Sequence, residues 1–148
     1  MKKITLTQRK FTIIDDEDFE YLNQWKWQFG GRRYAVRTIN HSGKIYMHKI
    51  IIKVPKGMET DHINGDGLDN RRNNLRIVSV RENQLNSRPH KNTLSGLKGV
   101  YLRRKDNKWV VYINRQFKGA FFDRNEAARI YNYYAKEIYK DYAYLNKI

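Results

Sequence analysis

Asp61-His62-Ile63-Asn64-Gly65-Asp66-Gly67-Leu68-Asp69-Asn70 is a turn-rich stretch too polar to lie in a core. Ahead of it, Lys49 to Val54 is a compact apolar run ended by Pro55 and Gly57, so Asp61-His62 follows an extended segment. Behind it come Arg71, Arg72, Asn73, Asn74 and Leu75, and then Val80 to Asn86, whose pattern suits a helix carrying Asn83. One residue from each cluster, Asp61, His62, Asn74 and Asn83, makes a candidate set. A neutral imidazole takes a proton from water near pH 7, and a carboxylate with an amide oxygen offers hard ligands for Mg²⁺ or Mn²⁺. A calcium loop does not fit, because its twelfth position counted from Asn64 is Leu75 rather than glutamate.

The flanks define the setting. Up to about Met47 the chain reads as short strands and turns: a strand at Phe11 to Ile14, a short helix opening on the acidic run Asp15 to Asp18, and a Gly30-Gly31 turn. Tyr34 to Thr38 and Lys44 to Met47 form a hairpin around His41-Ser42-Gly43. Residues 88–94, polar and holding Pro89, form a linker. Beyond it Val100 to Arg104, Lys108 to Asn114 and Gln116 to Phe122 read as three strands. Asp123 and Glu126 then open an amphipathic helix with Ala127, Ile130, Tyr131, Tyr134 and Ile138 at helical spacing. The whole is an α+β chain with a first module over 1–87 (strand-rich to 47) and a second over 95–148.

Thirty basic residues against fifteen acidic give a net charge of +15. Both halves are basic, so the excess covers folded surface and points to a polyanionic partner, nucleic acid first. The absence of cysteine excludes disulfides, thiol catalysis and Cys-based zinc sites. No apolar core of a signal peptide and no membrane-length apolar run is present. The expected setting is the cytoplasm of a bacterial or phage-infected cell, with no membrane partner and no small-molecule cofactor.

The stretch from His48 through Asn83 resembles the HNH, or ββα-metal, nucleases, particularly homing endonucleases of phages and group I introns. The resemblance implies that His62 is the general base and Asp61 a metal ligand. It makes Asn74 the brace of the loop that orients the His62 ring, and Asn83 the second ligand. Asn83 stands where many members carry histidine, which favours one Mg²⁺ or Mn²⁺ over zinc; Gln84 and Asn86 are alternative donors. His48, in Tyr46-Met47-His48-Lys49, also fits the family's lead-in, either touching phosphate or packing. Arg72 and Arg76 are the arginines expected to contact DNA.

Lys98-Gly99-Val100-Tyr101, Lys108 to Ile113, Glu126-Ala127-Ala128 and Leu145-Asn146 resemble the plant APETALA/ethylene-response-factor DNA-binding domain, over about Ser95 to Asn146. That implies a three-stranded antiparallel sheet packed on one helix, with its outer face on double-stranded DNA. Alternation puts Trp109, Val111 and Ile113 on the helix side. Lys108, Val110, Tyr112 and Asn114 then face DNA with Tyr101, Arg103, Lys105, Gln116 and Lys118, and Lys98 joins them from the lead-in. The expectation is a metal-dependent DNA endonuclease of homing type, a monomer or weak dimer that nicks DNA. The alternatives are a DNA-binding regulator with a degenerate nuclease motif, and an RNA-binding protein.

Overall fold

The structure, a computed structural model, describes residues 1–31, 33–39, 43–90 and 92–148, so His41 of the expected hairpin turn and Lys91 of the expected linker lie outside the described residues. The chain forms two compact units, Met1–Asn83 and Gln84–Ile148. The division falls inside a helix, ahead of Ser87, and residues 88–94 go with the second unit.

The first unit opens with an antiparallel hairpin, β1 (Lys2–Thr5) and β2 (Phe11–Ile14), in register from Lys2↔Ile14 to Thr5↔Phe11. The alternation of β2 turns Thr12 and Ile14 inward, both fully buried. Helix α1 (Asp16–Leu22) carries Asp16, Glu17 and Asp18 in its first turn, where the positive end of the helix dipole favours them. A three-stranded antiparallel sheet follows, β3 (Gln28–Gly30), β4 (Tyr34–Ile39) and β5 (Gly43–Tyr46), then the short helix α2 (Met47–Ile51). Ile4, Leu6, Ile14, Leu22, Trp27, Ala35, Met47, Ile51 and Leu75 make one core. Each large apolar side chain fully buried there contributes roughly 1.5–3 kcal/mol.

Leu75 ties this core to the polar stretch. It starts β7 (Leu75–Ser79), a strand that the charges and asparagines around it had hidden from sequence reading, and pairs directly with His62 at the end of β6 (Met58–His62). Burying Leu75 therefore draws His62 inward as well. Helix α3 (Val80–Leu85) follows at once. Its start is a capping box: the Glu82 N–H donates to Ser79 Oγ at 3.2 Å, and Glu82 Oε2 accepts from the Ser79 N–H at 2.8 Å. The order β6, loop, β7, α3 puts two paired strands and a helix around the polar loop.

The second unit is a meander, β8 (Val100–Arg103), β9 (Lys108–Ile113) and β10 (Gln116–Phe121), backed by α4 (Arg124–Tyr139). Asp123 caps α4, its Oδ1 accepting from the Glu126 N–H at 2.6 Å. Val100, Val111 and Ile113 pack with Ala127, Ala128, Tyr131 and Ala135, with Trp109 and Tyr134 at the margin. The buried Asn146 closes the unit: its side chain accepts from the Lys98 N–H at 2.8 Å and donates to the Lys98 carbonyl at 3.0 Å.

Candidate active site

Because β6 alternates, Glu59 and Asp61 share one face of the strand, and Thr60 and His62 share the other. His62 is 4% exposed and Asp61 6%. The His62 Nε2 lies 3.1 Å from Asn70 Oδ1. Asn70 in turn donates through Nδ2 to Thr12 Oγ1 at 2.7 Å, and the Thr12 hydroxyl donates to the Leu68 carbonyl at 2.7 Å. Strand β2 clamps the same loop through its backbone, with Ile13 N–H to Leu68 O and Asn70 N–H to Ile13 O, both 2.8 Å.

The chain of donors assigns the tautomer. The Thr12 proton goes to Leu68, so its oxygen accepts from Asn70. That turns the Asn70 oxygen toward His62, and only a protonated Nε2 can answer it. The neutral ring then keeps its lone pair on Nδ1. Burial is the main reason the His62 pKa lies below the ordinary histidine value, opposed by the Asn70 hydrogen bond and by the charges of Asp61, Asp66 and Asp69. The imidazole is thus neutral near pH 7.

Asn74 acts elsewhere in the loop. Its Oδ1 accepts from the Asn64 N–H at 3.0 Å, and its Nδ2 donates to the Asp69 carbonyl at 2.7 Å and to Asn64 Oδ1 at 3.1 Å. The expectation that Asn74 would orient the His62 ring is therefore corrected: Asn70 makes that contact, and Asn74 pins the loop. Within the same loop Gly67 passes so close to β4 that a Cβ there would lie 2.4 Å from the Arg33 carbonyl and 2.6 Å from the Tyr34 ring, leaving room for glycine alone.

His48 stands edge-on to His62, their ring centroids 5.1 Å apart, with Tyr34 and Tyr46 beside it. Burial, aided by repulsion from His62 and Lys49, pushes its pKa down to about 3, and its Nδ1 meets no partner among the described residues. His48, Thr60, Glu59 and Asn83 line one cleft of about 720 Å³, together with the cations Lys49 and Lys56. Asp61 and His62 do not line it. Asn83 reaches β6 from α3, its Nδ2 donating to Glu59 Oε2 at 2.5 Å.

Residues 53–85 match the HNH endonuclease family model. The chain carries an HNH endonuclease domain. It is an enzyme of the DNA-cleaving class. An uncharacterized HNH endonuclease of Acanthamoeba polyphaga mimivirus is 27% identical over 147 residues, covering 93% of this chain and 75% of the relative. Protein 3.8 of Escherichia phage T7 is 38% identical over 56 residues, 38% of this chain and 46% of that protein. No solved structure gives a significant match.

The HNH segment holds its own arginines. Arg76 grips Asp61 Oδ2 through Nε at 2.9 Å and Nη2 at 2.7 Å, a largely buried pair. Arg72 reaches Asp18 at 2.6 Å and Glu17 at 2.7 Å, while its N–H donates to Asp15 Oδ2. Both are expected on DNA; in the fold both pair with carboxylates, Arg76 largely buried and Arg72 half exposed. Lys49 and Lys56, which sequence reading passed over, are the cations beside the cleft. Among the described residues no group of three or more His, Asp or Glu is arranged to hold an ion. The donor types nonetheless suit Mg²⁺ or Mn²⁺, since such ions take one or two protein oxygens and complete their shell with water and substrate phosphate. Asp61 and Asn83 supply that kind of oxygen.

The sheet outside the HNH segment also departs from the alternation argument. Tyr112 pairs with Phe117 and Gln116 with Ile113, and the register shifts between Phe117 and Gly119. This bulge, with Gly119 at a positive φ of 148°, reverses the parity of β10. Phe117 therefore shares the open face with Tyr112 and Tyr101, its ring 5.7 Å from Tyr112. Gln116 falls on the helix side, and Lys118 lies over the Tyr134 ring of α4. Asn114 leaves the strand at φ 48° and its Oδ1 accepts from the Tyr139 hydroxyl. The Lys98 ammonium donates to the carbonyls of Gln84, Leu85 and Ser87; burial pulls its pKa down to about 8. Asn114, Gln116, Lys118 and Lys98 are thus corrected as open-face residues, and Val110, also expected there, is buried; Tyr101, Arg103, Lys108 and Tyr112 lie on that side of the sheet, with Lys105 in the turn that follows β8.

Proposed function

We propose that this chain is a metal-dependent DNA endonuclease in which His62 activates water against a backbone phosphate. The observation that carries the reading is the Thr12–Asn70–His62 chain: it supplies a buried, neutral imidazole in a single tautomer within a strand–loop–strand–helix segment of HNH type. His62 takes the proton of the attacking water at Nδ1. The water oxygen forms the new bond to phosphorus as the bond to the departing deoxyribose oxygen breaks. Asp61 and Asn83 would hold one Mg²⁺ or Mn²⁺, which when bound stabilises charge on the phosphate and on the departing oxygen. Lys49 and Lys56 hold the approaching backbone by charge.

The open face of the second unit is the DNA-reading surface in this proposal, with Tyr101, Arg103, Lys105, Lys108 and Tyr112 toward the duplex in the manner of APETALA/ethylene-response-factor domains. Its cationic character and the viral and phage relatives support a homing role. One site per chain makes the product a nick. Incubation of supercoiled plasmid carrying the native target with Mg²⁺ or Mn²⁺ tests the reading. Conversion to the open-circular form, abolished by chelation, is the expected result. Full nicking by His62→Ala would remove His62 from the mechanism.

A further inference from the structure

Glu59 has no part in the mechanism above, yet it bonds the residue proposed as second ligand. It sits on the Asp61 face of β6, half-buried and opposite Val78. Both Glu59 and Asn83 line the cleft, and the Asn83 Nδ2 donates to Glu59 Oε2 at 2.5 Å. A side-chain amide has two unlike ends, a donor NH₂ and an acceptor oxygen, and in isolation it presents either. A carboxylate accepts only. Beside Glu59 the amide can bond in one sense alone, Nδ2 toward the carboxylate and Oδ1 turned away, and bonds of this charged kind are the shorter and stronger ones.

We propose that Glu59 is the positioning residue of Asn83: it fixes the amide so that Oδ1, the end able to bind a divalent cation, is the end on offer. This rests on the reading of Asn83 as a ligand and explains how an asparagine serves where histidine is common. A histidine is held by its second ring nitrogen, and an asparagine needs an acceptor for its NH₂. Glu59 supplies it from the strand that also carries Asp61.

The test is Mn²⁺ affinity of the full chain without DNA, measured by titration calorimetry and by loss of the free-ion electron paramagnetic resonance signal. Glu59→Ala lets the amide turn and weakens binding about tenfold, the lower end of what loss of such a partner costs. Glu59→Gln offers an oxygen to Nδ2 but also an NH₂ to Oδ1, so it recovers only part of the affinity. In an Asn83→Asp background there is no wrong end to suppress, so Glu59→Ala no longer weakens binding. It tightens it, because two neighbouring carboxylates no longer repel.

Equal weakening by Glu59→Ala in both backgrounds would overturn the proposal, since it would make Glu59 a ligand itself or a mere tie between β6 and α3. Unchanged affinity in Glu59→Ala, with Asn83→Ala weakened, would overturn it while leaving Asn83 a ligand. Unchanged affinity in Asn83→Ala would instead remove the ligand reading on which it rests. Circular-dichroism melts accompany every variant, and should Glu59→Ala fail to fold, the comparison of Glu59→Gln in the two backgrounds decides.

Discussion

The loop after β6 and the open face of the C-terminal sheet are both polar, and they use polarity in opposite ways. In the loop the side chains satisfy one another: Asn70 serves Thr12 and His62, Asn74 serves Asn64 and Asp69, Arg71 holds Asp69 at 2.7 Å, and Arg76 holds Asp61. On the sheet face Tyr101 is 52% exposed and Phe117 53%, and Arg103 pairs with its neighbour Asp106. Reactivity is built where groups are desolvated and fixed. Recognition is left where they meet solvent and exchange water for a partner. A basic residue near a motif can be tied into the fold: Arg72, ten residues from His62, is paired with Asp18 and Glu17.

The largest effect expected on the fixed side of this contrast is loss of the base. His62→Ala should lower the single-turnover nicking rate by about 10²–10⁴-fold with little change in DNA affinity. Comparable affinity loss would mean that His62 binds rather than reacts. Next comes acid sensitivity from His48. Above pH 6.5 the folded and unfolded chains both hold it neutral and it adds nothing. As pH falls the unfolded chain takes up a proton that the folded chain refuses until about pH 3. Stability should therefore drop by about 1.4 kcal/mol per pH unit over that window, about 5 kcal/mol in all. His48→Phe should flatten this fall in urea melts at pH 7 and pH 4, and an unaltered slope would place the sensitivity elsewhere.

A smaller effect is expected at Thr12, remote in sequence from the motif. Thr12→Val removes the oxygen that fixes the Asn70 amide, and should cut nicking about tenfold to a hundredfold. The loss should be accompanied by a shifted pH–rate profile, because the imidazole is no longer held in one tautomer. A slower rate with the same profile would reduce Thr12 to packing. The smallest effect belongs to the open side. Lys105→Ala should weaken duplex binding evenly across sequences and lower the salt slope of log K by about 1, whereas Arg72→Ala should leave that slope intact and lower the melting temperature instead.

Much of the second unit was legible in the sequence because its signals are local. An aromatic and β-branched run read as in–out alternation marks β9, and the three-residue interval from Asp123 to Glu126 marks the start of α4. The same alternation failed at Gln116 and Lys118, since a bulge at Gly119 shifts parity and leaves no trace in polarity. In the first unit Asp61 and His62 are singled out by the HNH resemblance, while the helix bearing Asn83 could be read from its pattern. Which asparagine holds His62 could not, because Asn70, Asn73 and Asn74 look alike locally and the choice is made by Thr12, 58 residues away. Strand β7 was missed for a related reason: Arg76 looks like a surface residue until its partner Asp61 is known to lie directly across the hairpin.

That cross-strand pair has a consequence for assembly. A buried carboxylate without a counter-charge would oppose collapse of the hairpin, and in many small metal-binding modules the ion itself supplies the counter-charge, so the polypeptide stays open until loaded. Here Arg76 supplies it from within the same hairpin. The hairpin therefore carries its own counter-charge, and its two strands can close with no ion bound.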